Sequence, residues 1–207
     1  MNSAPAPLDR TGLTAALGAY VIWGLMPLYL LLVRSVPAFE FVGWRIIWTL
    51  PLCLLIALFR KQGGELRAAL GNRRTVGWLA LSASLIAVNW VVYVWAIQTG
   101  EVYAASLGYY INPLVNVLLG TALLGERLTR PQWLAVGIAA VGVSLLAAGA
   151  VTTLWISLTL ALTFGTYGLI RKRVVVGSVP GLTIESLLLL PPSIGVVWYY
   201  AQTQGSS

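Results

Sequence analysis

The chain is organised around residues Tyr103–Arg130, which read YAASLGYYINPLVNVLLGTALLGERLTR. The first 22 residues of this stretch, Tyr103–Leu124, contain no charged side chain. At a rise of about 1.5 Å per residue, a helix of that length crosses the hydrocarbon core of a bilayer, which is about 30 Å thick. The stretch is therefore predicted to contain a membrane-spanning helix.

One face of this predicted helix is small and polar. Its members follow one another every four residues, which places them on one side of a helix: Ala104, Gly108, Asn112, Asn116 and Gly120. Such a face lines either a close helix–helix interface or a polar cavity, and both interpretations stay open. Pro113 removes a backbone hydrogen bond in mid-span, so we expect a kink that offers polar groups to a solute. The two asparagines beside a proline favour the cavity.

The composition places the whole chain in a membrane. Of its 207 residues, 58% are hydrophobic and 9% are charged, and the mean hydropathy is +0.84, whereas soluble domains have about 25% charged residues. The basic residues form short clusters between apolar runs, which indicates membrane topology and no nucleic-acid partner. The chain has no histidine and a single cysteine, Cys53, so no metal, no cofactor and no catalysis based on histidine are expected.

Seven apolar segments are long enough to span a bilayer. They lie at about Gly12–Val33, Ala38–Phe59, Thr75–Ile97, Tyr103–Leu124, Pro131–Gly149, Ala150–Ile170 and Gly181–Ala201. With the N-terminus in the cytoplasm, 11 of the 13 lysines and arginines lie on the cytoplasmic side, and only Arg34 lies outside. The positive-inside rule therefore predicts a cytoplasmic N-terminus and a C-terminus outside. The longest loop, residues 60–74, has room for one interfacial amphipathic turn.

A faint repeat relates the two ends of the chain. The triplets WGL at 23–25 and SVP at 35–37 are echoed by YGL at 167–169 and SVP at 178–180. The copies begin in the first and the sixth spans, so they would cross the bilayer in opposite directions. Inverted repeats of this kind are typical of secondary transporters.

Several longer motifs point to a family. They are AYVIWGLMPLY at 19–29, NWVVYVWA at 89–96, SLGYYINPLVNVLLG at 106–120, GERL at 125–128 and QWLAVGIAAVGV at 132–143. Together they resemble the RarD-like permeases, in the EamA branch of the drug/metabolite transporter superfamily. Members of that family resemble one another in having ten helices, arranged as two antiparallel five-helix repeats in the bacterial inner membrane.

The resemblance implies an organisation for this chain. Residues 1–11 would be a cytoplasmic tail, 12–149 a complete five-helix EamA-like repeat, 150–201 two helices of an inverted, incomplete second repeat, and 202–207 a C-terminal tail. The expected fold is an all-α integral membrane protein with seven transmembrane helices.

Charged residues inside the predicted spans are costly in a bilayer and are candidates for function. Glu40 and Arg45 lie in the second span, but about 140° apart around the helix, so each needs another partner. Glu40 is interpreted either as an interfacial carboxylate or as an entrance residue. Arg45 lies roughly 10 Å into the helix, where its side chain either extends to the interface or, as favoured here, lines the pathway. Glu185 is interpreted as an interfacial residue that extends toward Arg171–Arg173.

Aromatic residues are the other candidates. Trp90 and Tyr93 lie beside Asn89 in the third span. With Trp23, Tyr109 and Tyr110 they line either a cavity for a flat or amphipathic solute or an ordinary aromatic interface. The predicted pathway consists of Asn112, Asn116, Pro113, Arg45, Glu40, Asn89, Trp90, Tyr93, Tyr109 and Trp23. The acidic residue of the GERL motif, Glu126, is interpreted as part of a turn with no solute role, and the pair Pro191 and Pro192 is expected to break the seventh spanning helix.

The favoured function is a permease that moves a small organic solute, a drug or a metabolite, by alternating access between inverted repeats. The alternative is a non-transporting membrane scaffold or subunit, or an inactive fragment of a ten-helix permease. An enzyme is disfavoured. The expected partners are the lipid bilayer, the solute, and a second copy or a complementing subunit.

Overall fold

The computed structural model describes residues 10–149 and 151–204, which form eight α-helices and one 3₁₀ turn. In chain order the helices are α1 (Arg10–Leu32), α2 (Ala38–Phe59), α3 (Gly63–Gly71), α4 (Arg73–Gln98), α5 (Val102–Leu124), α6 (Arg130–Ala148), α7 (Leu154–Arg173) and α8 (Ser178–Gln204). The 3₁₀ turn, Val151–Thr153, leads directly into α7. No strand occurs in either described range, and the all-α prediction is confirmed.

Seven of these helices are long and apolar enough to cross a membrane, and α3 is the exception among the described helices. Each of the seven coincides with one predicted span to within a few residues, which confirms the number of spans. The short α3 occupies the loop between residues 60 and 74, where the sequence has room for an interfacial turn.

Parts of the predicted organisation lie outside the described residues. These parts are residues 1–9 of the N-terminal tail, Ala150 at the start of the predicted second repeat, and residues 205–207 of the C-terminal tail. The remaining residues of the two predicted tails, 10–11 and 202–204, belong to α1 and α8.

The described residues divide into two compact units, of which the first ends at Ser35 and the second begins at Val36. The first unit contains α1. In the second unit, α7 packs against both α4 and α5, and α8 packs against α2 and α4. In α6, whose residues are all described, no side chain is buried.

The interface between α5 and α7 is close because it is built from small residues. A Cβ atom at Gly108 would lie 3.1 Å from the carbonyl oxygen of Ser157. The hydroxyl of Ser157 donates a 2.7 Å hydrogen bond to the carbonyl of Ala104. Beside these contacts lies a core of Leu107, Ile111, Val115 and Ala161. The first part of the small face on α5, Ala104 and Gly108, is therefore a helix–helix interface.

Local sequence signals set several helix ends. The side-chain oxygen of Asn72 accepts hydrogen bonds from the backbone N–H groups of Arg74 (3.0 Å) and Thr75 (3.2 Å), and so caps the start of α4. Thr129 and Gln132 form a capping box at the start of α6. The helix α5 ends at Gly125, whose φ of 68° is easily adopted only by glycine.

The prediction that Pro191 and Pro192 break the last helix is wrong, because α8 continues through both residues from Ser178 to Gln204. The two prolines remove only two N–H groups. Spanning helices tolerate such losses because neighbouring helices, hydroxyl groups and local adjustments of the helix satisfy the backbone. Pro113 likewise lies inside α5, which runs unbroken from Val102 to Leu124.

Candidate solute site

Arg45 and Trp90 form the centre of the candidate site. The guanidinium carbon of Arg45, on α2, lies 4.0 Å from the centroid of the Trp90 ring, on α4. This distance is that of a cation–π contact. The indole ring therefore supplies the partner that the position of Arg45 within its helix demands.

The two residues lie at the same level of the helices. Arg45 is seven residues after the start of α2, and Trp90 is eight residues before the end of α4, so each is roughly 10–12 Å from that helix end. These two ends are neighbours, because the side-chain amide of Gln98 donates a 2.9 Å hydrogen bond to the carbonyl of Val36. The site is thus well inside the apolar spans.

Arg45 has no acidic partner. Among the described residues, no carboxylate lies within 4.0 Å of its guanidinium nitrogens, and the guanidinium makes no hydrogen bond to another side chain or to the backbone. Its side chain is half-buried. Holding a cation in an apolar span without a counter-charge costs free energy. The N–H groups of Arg45 are therefore expected to bind an anion or water.

Two tyrosines extend the site from α4 to α5. The rings of Tyr93 and Tyr109 meet edge to face, with centroids 5.8 Å apart. Tyr109 lies in the neighbourhood of Arg45. Nearly half of the Tyr109 surface, 49%, is exposed, so part of this residue is accessible to a partner.

Asn112 lies one helical turn further along α5. Its side chain is buried, and its carbonyl oxygen Oδ1 has no hydrogen-bond partner among the described residues. Buried polar atoms normally have partners, and an orphaned one costs about 1–3 kcal/mol. This oxygen is therefore a candidate acceptor for a hydrogen bond from a solute or from water.

Asn116 lines a different space. It faces a cavity of about 270 Å³ between α5 and α7, toward the end of α5 that carries Gly125. Glu126 and Lys172 also line this cavity and form an ion pair of 2.7 Å at exposed positions. The sequence analysis interprets Glu126 only as a turn residue, and the structure places it in the wall of this cavity as well. The predicted pathway residues thus fall into two groups, one near Arg45 and one near Asn116.

Asn89 is occupied by a structural contact. Its side-chain NH₂ group donates 2.9 Å hydrogen bonds to the carbonyl of Leu160 and to the hydroxyl of Thr163, both on α7. The residue is buried. These contacts hold α4 against α7, so the position of Asn89 favours packing over direct contact with a solute.

The remaining predicted residues are Glu40, Pro113 and Trp23. Glu40 is half-buried on α2, and Pro113 is exposed on α5. Trp23, on α1, packs edge to face against Tyr20 of the same helix, with ring centroids 6.2 Å apart. No group of three or more His, Cys, Asp or Glu side chains able to hold a metal ion occurs in the described part of the chain.

Comparison with known proteins gives the family. The sequence model of the EamA-like transporter family matches residues 10–148. The chain belongs to this family. It is 44% identical over 199 residues to Protein RarD of Streptomyces exfoliatus, covering 96% of this chain and 63% of that relative. It is 48% identical over 189 residues to an uncharacterized transporter of Pseudomonas aeruginosa, covering 91% and 63%. With Protein RarD of Escherichia coli, the identity is 39% over 209 residues, covering 98% and 68%.

No solved structure matches this chain. The chain spans 63% of the length of the first two relatives. The EamA-like match extends from α1 through α6, and α7 and α8 follow it. Membership of the family, together with seven apolar helices, makes the chain a multi-pass membrane protein and confirms the resemblance to RarD-like permeases.

The expected approach of Glu185 to Arg171 is present, but its side chain is buried and does not extend to the surface. This residue of α8, beyond the EamA-like match, is 1% exposed. The hydroxyl of Ser82, on α4, donates a 2.6 Å hydrogen bond to its Oε1 atom, and Nε of Arg171 lies 3.9 Å from the same oxygen. The expected pairing with Arg171 is present, but α4 covers the carboxylate and keeps it from the surface.

Arg171 is held by a network that also reaches α3. Its guanidinium packs directly against Gly181, where any Cβ atom would collide with it. It donates a 3.2 Å hydrogen bond to the carbonyl of Gly177, whose own N–H group donates a 2.6 Å bond to Glu65 on α3. The sequence carries one signal for this network. Glu185 is an acidic residue seven positions into the apolar helix α8, and Gly181 lies four positions before it.

Proposed function

We propose that the chain forms part or all of a permease in the bacterial inner membrane, which moves a small organic solute, a drug or a metabolite, by alternating access. Residues 12–149 form one five-helix repeat and residues 150–201 two helices of an inverted second repeat, with the N-terminus in the cytoplasm. The transporter names of the relatives and the opposed WGL and YGL segments support this proposal.

One observation carries the proposal: Arg45 is a cation inside an apolar span, and among the described residues it has an aromatic partner but no acidic one. A packed scaffold gains nothing from an uncompensated charge, whereas a transport pathway uses it. The orphaned oxygen of Asn112, one turn beyond Tyr109, adds a second unsatisfied polar group. The solute contacts Arg45 and Tyr109 first, then Asn112, and reaches Asn116 in the cavity between α5 and α7.

No chemical turnover, metal or cofactor takes part in this mechanism. A second copy of the chain, or a complementing subunit, completes the walls of the pathway. The competing function is a membrane scaffold, for which Asn112 and Asn116 are only packing groups.

Water access separates these two functions without knowledge of the solute. The only cysteine, Cys53, is replaced by serine, and single cysteines are introduced as Asn112→Cys and Asn116→Cys. Leu118→Cys, an exposed apolar position on the same helix, is the matched control. A charged thiol reagent that does not cross membranes is then applied to intact cells and to inverted vesicles.

The permease predicts that cysteines at positions 112 and 116 react from the aqueous phase and that the cysteine at position 118 does not. Reaction of one position from both sides of the membrane is the signature of alternating access. If neither position 112 nor position 116 reacts from either side, the segment is packed and the scaffold function replaces the permease.

A further inference from the structure

We infer that the solute is an organic anion with a flat apolar part, whose carboxylate binds the guanidinium of Arg45. This inference rests on the proposed function and adds the chemical class of the solute. It follows from which charges in the chain are already paired, from how Arg45 is held, and from what surrounds it.

Among the described residues, no acidic side chain forms an ion pair with Arg45. Of its six acidic residues, three have partners elsewhere: Glu65, Glu126 and Glu185. Asp9 lies outside the described residues. The other two, Glu40 and Glu101, make no ion pair within 4.0 Å. A half-buried guanidinium is stabilised when an anion binds beside it.

The contact with Trp90 leaves the N–H groups of Arg45 for a carboxylate. The guanidinium carbon lies 4.0 Å from the centroid of the Trp90 ring, so the indole holds the cation beside α4. The N–H groups lie in the plane of the guanidinium and point outward from its edge, where two of them can bind one carboxylate in parallel. These N–H groups have no hydrogen-bond partner among the described residues.

The neighbouring groups define the rest of the solute. Tyr109 presents a half-exposed ring, and Tyr93 supports that ring from its edge at 5.8 Å. An aromatic or other flat apolar body fits such a surface. The oxygen of Asn112 accepts a hydrogen bond, so a hydroxyl or amide N–H group on the solute has a partner there. Among the described residues, no carboxylate pairs with Arg45, so the charge of this group is positive, which favours an anion over a cation.

An oxyanion for Arg45 has two sources, a soluble carboxylate and the phosphate of a lipid headgroup. Arg45 lies roughly 10 Å from the end of α2, within the reach at which long side chains extend to headgroups. The Trp90 contact favours the soluble carboxylate, since it holds the guanidinium against α4. The experiment below distinguishes the two sources.

The test is equilibrium binding of radiolabelled 2-naphthoate and of its neutral analogue 2-naphthamide to the purified chain. Binding is measured in detergent and in nanodiscs of zwitterionic lipid. The variants are Arg45→Gln and Arg45→Lys. Arg34→Gln is the control, because Arg34 lies just outside the apolar spans. Native mass spectrometry of the same samples reports any phospholipid that remains bound.

The chain is expected to bind naphthoate at least about tenfold more tightly than naphthamide, because only the anion makes charge-assisted bonds. Arg34→Gln keeps this preference, Arg45→Lys reduces it because the paired N–H geometry is lost, and Arg45→Gln abolishes it. The preference for naphthoate over naphthamide is first measured on the unaltered chain, so this part of the test does not depend on whether a variant folds.

The inference is overturned if naphthoate and naphthamide bind equally, or if the preference survives in Arg45→Gln. It is also overturned if Arg45 holds a phospholipid that naphthoate does not displace. Failure of this inference leaves the cysteine accessibility test of the permease untouched. Conversely, an anion preference without water access at positions 112 and 116 refutes transport alone.

Discussion

The hydroxyl of Ser82 donates a 2.6 Å hydrogen bond to Glu185, and both residues are buried. The bond joins α4 to α8 across 103 positions of sequence. Since Arg171 of α7 lies 3.9 Å from the same carboxylate oxygen, one acidic side chain connects three helices. The last two helices are thereby fixed to a helix of the EamA-like region.

The first prediction concerns Ser82. The substitution Ser82→Ala leaves a buried carboxylate without its short hydrogen bond, and we expect the free energy of unfolding to fall by about 1–3 kcal/mol. The matched control is Ser84→Ala, because that hydroxyl is exposed and bonds only to the carbonyl of Ala80 in its own helix. Unfolding in mixed detergent micelles measures both. Equal effects at the two positions would show that the bond to Glu185 contributes nothing.

The second prediction concerns the pair Glu185 and Arg171. Replacing Glu185 by leucine leaves the largely buried Arg171 guanidinium without its counter-charge, and a loss of about 3–5 kcal/mol is expected. The double variant with Arg171→Met removes both charges and should be more stable than the sum of the single effects predicts. The double-mutant cycle gives the coupling free energy directly. Strict additivity would mean that the 3.9 Å approach is not an interaction.

The positions of these contacts explain what the sequence does and does not reveal. Hydropathy locates every span because each apolar run is long and local, and the short α3 follows from a charged loop of sufficient length. The partners of Asn89 are 71 and 74 residues away, and the Ser82 partner of Glu185 is 103 residues away. Hydrogen bonds between residues so far apart in the sequence depend on how the helices pack against one another. A single sequence does not directly show that packing.

The candidate site shows the same division. Arg45 stands out in the sequence as a charge within a span, and Trp90 and Tyr109 are among the predicted pathway residues. The contact between Arg45 and Trp90 could not be predicted, because it depends on which face of α2 packs toward α4. Asn112 and Asn116 share one face of α5, yet they meet different surroundings, since α7 covers the first part of that face and leaves a cavity beside the second.

The third prediction tests the close approach of α5 and α7. In Gly108→Ala, the new methyl group meets Cβ of Leu160 at 3.0 Å and the carbonyl oxygen of Ser157 at 3.1 Å. Backbone cannot move aside cheaply, so we expect a loss of about 1–3 kcal/mol in the free energy of unfolding. In α6, Gly137→Ala meets no atom within 4 Å, and the higher helix propensity of alanine should leave stability equal or raised by up to about 1 kcal/mol. A destabilisation at Gly137 that equals the effect at Gly108 would refute the packing argument.

The last prediction concerns orientation in the membrane. Contacts within residues 36–207 sort the connections between helices into two sets. Glu65 of α3 bonds to Gly177 in the α7–α8 connection, and Arg173 donates a 2.7 Å bond to the carbonyl of Leu123 at the end of α5. These ends therefore lie on one side. On the other side, Tyr103 at the start of α5 donates a 3.0 Å bond to the carbonyl of Leu146, near the end of α6.

The first side carries the basic clusters, including Arg60, Lys61, Arg73, Arg74 and Arg171–Arg173, so it is predicted to face the cytoplasm. Alkaline phosphatase, which is active only outside the cytoplasm, should be active when fused after Gly100 and inactive when fused after Gly125. A fluorescent protein that folds only in the cytoplasm should give the reverse result at the same two positions. Phosphatase activity after Gly125, with none after Gly100, would invert the topology and require the basic connections to face outward.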